Sequence, residues 1–140
     1  MGLYKESAIK GFKKGVTTLW NLSKIVVPIY FLVTFLNYTG ILELISDICR
    51  PVMNIFGLPG EASLPLVLGN CINLYAGLGA MASIVLTTKQ VTILAIMLSF
   101  SHSLFLESAV VKRVGVNIGL AVVIRLSLAL VSGVVFNFIL

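Results

Sequence analysis

The chain has 140 residues, of which 59% are hydrophobic and 11% are charged, and its mean hydropathy is +1.09. Soluble domains carry about twice that share of charged residues, so the composition excludes an ordinary soluble domain and predicts an all-α, polytopic membrane helix bundle. The length allows one domain of a few spans, residues 1–140, and leaves no room for a separate soluble catalytic module.

The charge distribution indicates a lipid partner and argues against nucleic acid. The net charge is +5, and five of the ten basic residues lie at the front of the chain: Lys5, Lys10, Lys13, Lys14 and Lys24. Such a cluster beside a span favours the cytoplasmic side and an anionic lipid surface. We therefore expect an integral protein of the cytoplasmic membrane with a cytoplasmic N-terminus. Cys49 and Cys71 have neither zinc-site nor disulfide spacing, so the sequence predicts no metal site and no cofactor.

The first predicted element is an amphipathic helix over residues 1–23 that lies on the membrane surface. Ile9 and Phe12 recur at helical spacing on the face opposite the lysines, and Trp20 extends that face. The alternative is a solvated helix packed against its own protein. The membrane-embedded part, residues 24–140, follows directly and begins with the first span.

A stretch of mixed polarity comes next, over residues 43–56. Pro51 is expected to disrupt this stretch, and Gly57-Leu58-Pro59-Gly60 predicts a turn after it. Glu61 then falls in the first turn of the next helix, where the helix dipole favours a carboxylate. Its role is open between a capping charge and a ligand contact.

The first of two polar islands, Gly69-Asn70-Cys71-Ile72-Asn73, interrupts residues 62–86. This stretch is long enough to cross a membrane, but its prolines and glycines leave two alternatives. It is either a continuous helix with small residues at close interfaces or a discontinuous helix whose unwound backbone lines a site. On a continuous helix, Asn70 and Asn73 face the same way and can present their amides to one polar ligand.

The second polar island, Ser99-Phe100-Ser101-His102-Ser103, lies within residues 91–111. If this segment crosses fully, Lys89 lies inside while Lys112 and Arg113 lie outside, against the usual charge bias. A re-entrant hairpin keeps all three inside and brings its tip near the midplane. We therefore expect a re-entrant hairpin here, in addition to the discontinuous helix considered for residues 62–86, within a total of three to four spans. A full crossing is the alternative, because the tip contains no Gly or Pro.

A weak internal similarity relates the two islands. At an offset of thirty residues, Leu68-Gly69 aligns with Leu98-Ser99, and Leu74-Tyr75 aligns with Leu104-Phe105. Such similarities are typical of transporters built from repeats.

The last predicted span contains Arg125 near its middle. From that depth the guanidinium cannot reach the membrane surface, so it must pair or meet water. If the preceding segment doubles back, Arg125 comes level with the second island and can meet its polar groups. The candidate binding residues for a small polar solute or an ion are Asn70, Asn73, Ser101, His102, Ser103, Glu107 and Arg125, with Glu61 as an additional candidate.

The second island also contains the residue types of a serine hydrolase. On a helix, however, Ser101 and Ser103 are too close in sequence to His102 to face it. No Gly-x-Ser-x-Gly turn is present to raise a nucleophile. We therefore expect that the protein is not an enzyme.

Four short motifs stand in order along the chain: Tyr38-Thr39-Gly40-Ile41-Leu42, Phe56-Gly57-Leu58-Pro59-Gly60-Glu61-Ala62, Thr87-Thr88-Lys89-Gln90 and Ser101-His102-Ser103-Leu104-Phe105-Leu106-Glu107-Ser108-Ala109. Together they resemble the Gate, or nucleoside-recognition, membrane domain, and most closely the spore maturation protein A type. The resemblance covers most of the chain.

This resemblance implies a small bacterial membrane unit that works in pairs around a polar site, either as a homo-oligomer or with a second Gate-domain protein. We therefore expect a transporter-like module that binds or moves a nucleoside-like solute or an ion at mid-membrane. The alternative is a non-transporting structural subunit, as in spore maturation. In that case the same polar residues hold helices together, and the basic N-terminal helix docks lipid or a partner.

Overall fold

The computed structural model describes residues 2–140 of the protein. This part of the chain contains no β-strand. Its seven helices are α1 (Gly2–Tyr38), α2 (Ile41–Met53), α3 (Ser63–Cys71), α4 (Leu74–Met81), α5 (Thr88–Ser101), α6 (Leu104–Arg113) and α7 (Ile118–Ile139). Two short 3-10 turns, Asn54–Phe56 and Gly60–Ala62, connect α2 to α3.

The predicted all-α membrane helix bundle is confirmed. Three segments are long and apolar enough to cross a membrane: Glu6–Tyr38 within α1, Thr88–Arg113 across α5 and α6, and Ile118–Ile139 in α7. This number agrees with the predicted three to four spans.

The first helix is longer than predicted. α1 has 37 residues, which corresponds to about 55 Å, and the predicted boundary between a surface helix and the first span does not end it. The physical reason is local. Residues 21–27 contain neither Gly nor Pro, and the Ser23 hydroxyl donates to the Leu19 carbonyl at 2.9 Å within the same helix. Met1 and the side chain of Lys5, which the prediction included, lie outside the described residues.

A sharp turn at Gly40 separates α1 from α2. Gly40 has a φ of 76°, which glycine adopts without the cost that a Cβ would add. Pro51, predicted to disrupt the following stretch, lies inside α2, which continues to Met53. Pro51 has no N–H to donate within α2, but only two residues of the helix follow it, so little helix remains for it to disrupt.

The first polar island separates the two arms of a helical hairpin, α3 and α4. α3 and α4 have nine and eight residues, or about 13 and 12 Å, so neither crosses a hydrocarbon core of about 30 Å. The two helices pack closely through glycines. A Cβ added at Gly77 would lie 3.1 Å from the Gly69 Cα and 3.0 Å from the Pro65 carbonyl oxygen. Of the two predicted alternatives, the discontinuous helix is therefore the observed one.

The hairpin predicted for residues 91–111 is not found there. α5 and α6 instead form one interrupted candidate span, and both pack along α7. The start of α5 lies beside the end of α7, because the Lys89 ammonium donates to the Asn137 carbonyl at 2.8 Å. The prediction assumed that residues 62–86 cross the membrane. These residues instead form the packed pair α3 and α4, so the observed hairpin lies one segment earlier than the predicted one.

The close packing of α7 against α5 sets the position of Arg125. A Cβ added at Gly133 would lie 2.7 Å from the Met97 sulfur and 2.8 Å from the Phe56 ring. The glycine thus lets α7 approach the core, and Arg125, two turns earlier in α7, faces the end of α5.

Candidate functional site

The chain breaks between α5 and α6 at His102 and Ser103. His102 is extended, with a ψ of 155°, and Ser103 has a φ of 55°. Ser103 is the one non-glycine residue with a positive φ in the described part of the chain. That conformation is uncommon for residues with a Cβ, and such strain concentrates at functional sites. The break also leaves carbonyl groups at the end of α5 without partners in the helix.

Arg125 donates hydrogen bonds to two of these carbonyl groups. Its Nε donates to the Phe100 carbonyl at 2.8 Å, and its Nη2 donates to the His102 carbonyl at 3.0 Å. The C-terminal end of a helix carries a partial negative charge, so a cation is stabilised there. Arg125 therefore has the partners that its mid-span position requires, and two of them are backbone carbonyl groups.

Glu107 binds the same guanidinium from the other side of the break. Its Oε2 pairs with Arg125 Nη1, and its Oε1 lies 3.4 Å from His102 Nδ1. Glu107 stands in the first turn of α6, where the partial positive charge of the helix N-terminus favours a carboxylate. The break thus places the partially negative C-terminus of α5 beside Arg125 and the partially positive N-terminus of α6 beside Glu107.

Ser103 completes a group that we call the polar cluster: His102, Ser103, Glu107 and Arg125. The Ser103 hydroxyl lies 3.2 Å from His102 Nδ1, so the argument that Ser103 is too close in sequence to meet His102 is wrong. The chain break, absent from a regular helix, brings the two side chains together. The cluster is not sealed, because the side chains of His102 and Glu107 are 30% and 38% exposed.

The two chain breaks meet at this cluster. The Ser103 amide donates to the Gly69 carbonyl at 2.9 Å, which joins the end of α3 to the start of α6. The break at Ile72 and Asn73 and the break at His102 and Ser103 are thirty residues apart, the same offset as the weak internal similarity. The two segments nonetheless differ in shape, since the first is a hairpin and the second continues along α7.

The asparagines of the first island have separate roles. Asn73 is extended and caps α4, with its Oδ1 accepting from the Ala76 amide at 3.0 Å. The helix is interrupted between the two residues, so they do not share a face as a continuous helix would require. Asn70 Oδ1 is buried and has no hydrogen-bond partner in the described part of the chain. Buried polar atoms are nearly always paired, so Asn70 is an exception, as is the buried Ser63 hydroxyl, and it follows directly after Gly69, whose carbonyl accepts from the Ser103 amide.

Ser101 and Glu61 lie outside the polar cluster. Ser101 is buried, and its hydroxyl donates to the Met97 carbonyl at 3.0 Å within α5. Glu61 lies in the 3-10 turn before α3, at the opposite end of that helix from Gly69. Sequence reasoning missed the carbonyl groups of Gly69, Phe100 and His102, because a backbone partner carries no side-chain signal.

The cluster has the chemistry of a polar binding patch. It combines one carboxylate, one imidazole and one hydroxyl of one candidate span with one guanidinium of the next. Among residues 2–140, no three side chains of the types His, Cys, Asp or Glu come together as metal ligands. Two surface depressions lie elsewhere, along α1: one is lined by residues between Trp20 and Pro28 and the other by Asn37 and Tyr38.

The chain is similar to several membrane proteins. The sequence pattern of the Gate family, described as nucleoside recognition, matches residues 19–117. The chain is 44% identical over 135 residues to the uncharacterized membrane protein YvoD of Bacillus subtilis (strain 168), which covers 96% of this chain and 43% of YvoD. It is 32% identical over 126 residues to the inner membrane protein YjiG of Escherichia coli (strain K12), covering 86% of this chain and 75% of YjiG. The chain thus spans less than half the length of YvoD. No solved structure matches it.

Proposed function

Because the chain belongs to the Gate, or nucleoside-recognition, family of membrane proteins, we propose that it is a transporter-like module. Its polar cluster binds or moves a small polar solute, of nucleoside type, or an ion. The observation that carries this proposal is the meeting of two interrupted helical segments at ionisable side chains. In membrane transporters, discontinuous helices of this kind surround substrate and ion sites.

The depth of the cluster supports a functional role. Arg125 lies seven residues after the start of α7 and fourteen before its end, or about 10 and 21 Å from the two ends. Ionisable groups inside a span are costly, and they persist where they pair with one another or line a polar pathway. The partly exposed carboxylate and imidazole leave the cluster reachable by a solute.

Each group has a role in this proposal. Glu107 and Arg125 supply charge, while the Ser103 hydroxyl and the Asn70 amide orient the solute by hydrogen bonds. His102 contacts the solute or carries a proton, since its Nε2 is not used by the contacts with Ser103 and Glu107, which both involve Nδ1.

We propose further that the chain works as a pair, either as a homo-oligomer or with a second Gate-domain protein. Three spans are too few to enclose a sealed pathway, and the His102 and Glu107 side chains of the cluster are partly exposed. Native mass spectrometry of the detergent-purified protein measures the number of copies.

The distribution of positive charge supports a cytoplasmic N-terminus. If α3 and α4 enter and leave on one side, the chain crosses at α1, at α5 with α6, and at α7. The lysines at the start of α1 then share a side with Lys112 and Arg113, while Arg50 and Lys89 lie on the other. This arrangement follows the positive-inside bias with all three spans crossing fully.

The proposal that the protein is not an enzyme also has geometric support. In a Ser-His-acid triad, one ring nitrogen of the histidine faces the serine and the other faces the carboxylate. Here Ser103 and Glu107 both approach Nδ1 of His102. The imidazole therefore cannot take a proton from the serine while the carboxylate orients it from the opposite nitrogen.

The alternative is a structural membrane subunit. Two observations favour it: Arg125 is already bonded to two carbonyls and to Glu107, and Asn73 is used as a helix cap. Polar groups that satisfy one another hold helices together without a ligand.

Thermal unfolding of the detergent-purified protein separates the two functions. Nucleosides, nucleobases, metal ions and small organic anions are added in turn, and a solute that binds the native state raises the unfolding temperature by mass action. Stabilisation by one chemical class supports the solute site. No stabilisation by any of the four classes favours the structural subunit.

A further inference from the structure

α2 has three distinct faces. Leu42, Ser46 and Met53 are buried, and Glu43, Asp47 and Arg50 form an exposed polar face on which Asp47 and Arg50 pair at 2.8 Å. The remaining face is apolar yet exposed, and we call it the α2 apolar face: Ile41, Leu44, Ile48 and Val52. At about 100° per residue, it lies roughly 135° around the helix from each of the other two.

The rotation of α2 about its axis is fixed. Leu42 packs with Val33 of α1 and Ala80 of α4 at one end of the helix. Farther along, Gly60 sits directly against Ser46, where an added Cβ would overlap the Ser46 carbonyl oxygen. The helix therefore cannot roll to bury its exposed apolar residues, of which Ile48 is 69% and Leu44 62% exposed. Something outside this chain must cover that face.

The chain around α2 sets its level in the membrane. α2 begins three residues after Tyr38, which ends the first candidate span, so α2 starts where that span leaves the hydrocarbon. Its 13 residues correspond to about 20 Å, too short to cross. A short helix with a charged face and an apolar face at this level is suited to lie in the plane of the interface.

The composition of the α2 apolar face identifies its partner. Its members are all aliphatic, whereas the centres of protein interfaces are enriched in aromatic residues, Met and Arg. Phe35 and Tyr38, near the end of the preceding span, are likewise exposed apolar residues. We propose that α2 is an interfacial helix whose apolar face inserts among lipid acyl chains while Glu43, Asp47 and Arg50 face water.

This proposal does not depend on the solute site. It assigns the surface-lying role to α2, a segment in which the sequence indicated only mixed polarity. It also predicts that α2 holds the α3–α4 hairpin at a fixed depth, because the connection through Gly60 links the two.

Fluorescence quenching in liposomes tests the insertion. Single cysteines are introduced by Ile48→Cys and Asp47→Cys into a chain in which Cys49 and Cys71 are replaced by Ala, and each is labelled with a small fluorophore. The protein is reconstituted at low protein-to-lipid ratio with acyl-brominated phospholipid or with aqueous iodide as quencher. Both substitutions are at exposed positions, so neither removes a core contact.

The expected result is opposite quenching at these adjacent positions. The label at position 48 is quenched several-fold more by brominated lipid than the label at position 47, and iodide gives the reverse order. Strong iodide quenching at position 48 overturns the proposal, because α2 then stands in water. Protection of position 48 from both quenchers also overturns it, because a second copy or another protein then covers the face.

Discussion

Arg125 donates from Nη2 to the carbonyl of His102 at 3.0 Å, and this bond closes a break in the neighbouring span. The same guanidinium binds the Phe100 carbonyl and the Glu107 carboxylate. One side chain of α7 thus connects the end of α5 to the start of α6.

Replacing Arg125 by Lys is expected to destabilise the protein by roughly 1–3 kcal/mol, although the charge is kept. An ammonium cannot donate in a fork to two carbonyls and a carboxylate at once. The free energy of unfolding in mixed micelles measures the loss. Arg113→Lys, at the exposed end of α6, is the matched control and should have little effect. Equal stability of the Arg125→Lys variant and the parent would show that the fork geometry does not matter.

The conformation of Ser103 makes a separate prediction. Ser103→Gly and Ser103→Ala both lose the contact with His102 Nδ1, but only alanine keeps a Cβ at a φ of 55°. We expect the glycine variant to be more stable than the alanine variant by roughly 1 kcal/mol. Denaturant unfolding of the two proteins side by side measures this difference. An alanine variant as stable as the glycine variant would contradict a strained break.

The hairpin depends on the close contact between its glycines. Gly77→Ala places a Cβ against the backbone of Gly69 and Pro65, neither of which can move without separating α3 from α4. Overpacking of this kind costs about 1–3 kcal/mol. Gly11→Ala is the control, because no atom lies within 4 Å of the added Cβ, and it should be neutral or slightly stabilising. The measurement is the unfolding temperature of each variant, which we expect to be lower for Gly77→Ala than for Gly11→Ala. Equal unfolding temperatures would contradict the observed packing.

The path of the chain predicts the sides of two lysines. In a chain in which Cys49 and Cys71 are replaced by Ala, Lys89→Cys and Lys112→Cys are expected to react with a membrane-impermeant maleimide from opposite sides of the membrane. The measurement uses intact cells and inside-out vesicles. Labelling of both positions from the same side would contradict a full crossing and would support a re-entrant hairpin at residues 91–111.

The sequence predicted the helical class and the polar residues better than it predicted the path of the backbone. The need of Arg125 for a partner follows from its position in the middle of a predicted span, and its meeting with the second island is observed. The location of the hairpin could not be predicted, because the decisive contact between Gly69 and Gly77 joins two helices. Both polar islands contain a chain break, yet only the first reverses direction.

Local signals also misled at two helix boundaries. Pro51 is a helix breaker in general, but it stands two residues before the end of α2, where little helix remains to be disrupted. Lysines and apolar residues near the N-terminus predict a surface helix over residues 1–23, whereas α1 continues without a break to Tyr38, so the two predicted elements form one helix. The meeting of Ser103 with Gly69 is a backbone contact across thirty-four residues, and no side-chain pattern indicates such a bond.

The central claim is that the polar cluster binds a solute, and Glu107→Gln tests it most directly. The solute that stabilises the parent protein is titrated against the parent, Glu107→Gln and Glu43→Gln, the last being a matched change on the exposed face of α2. We predict an affinity at least about tenfold weaker for Glu107→Gln and unchanged for Glu43→Gln. Equal affinities for all three proteins, or no solute that binds the parent, would contradict the account.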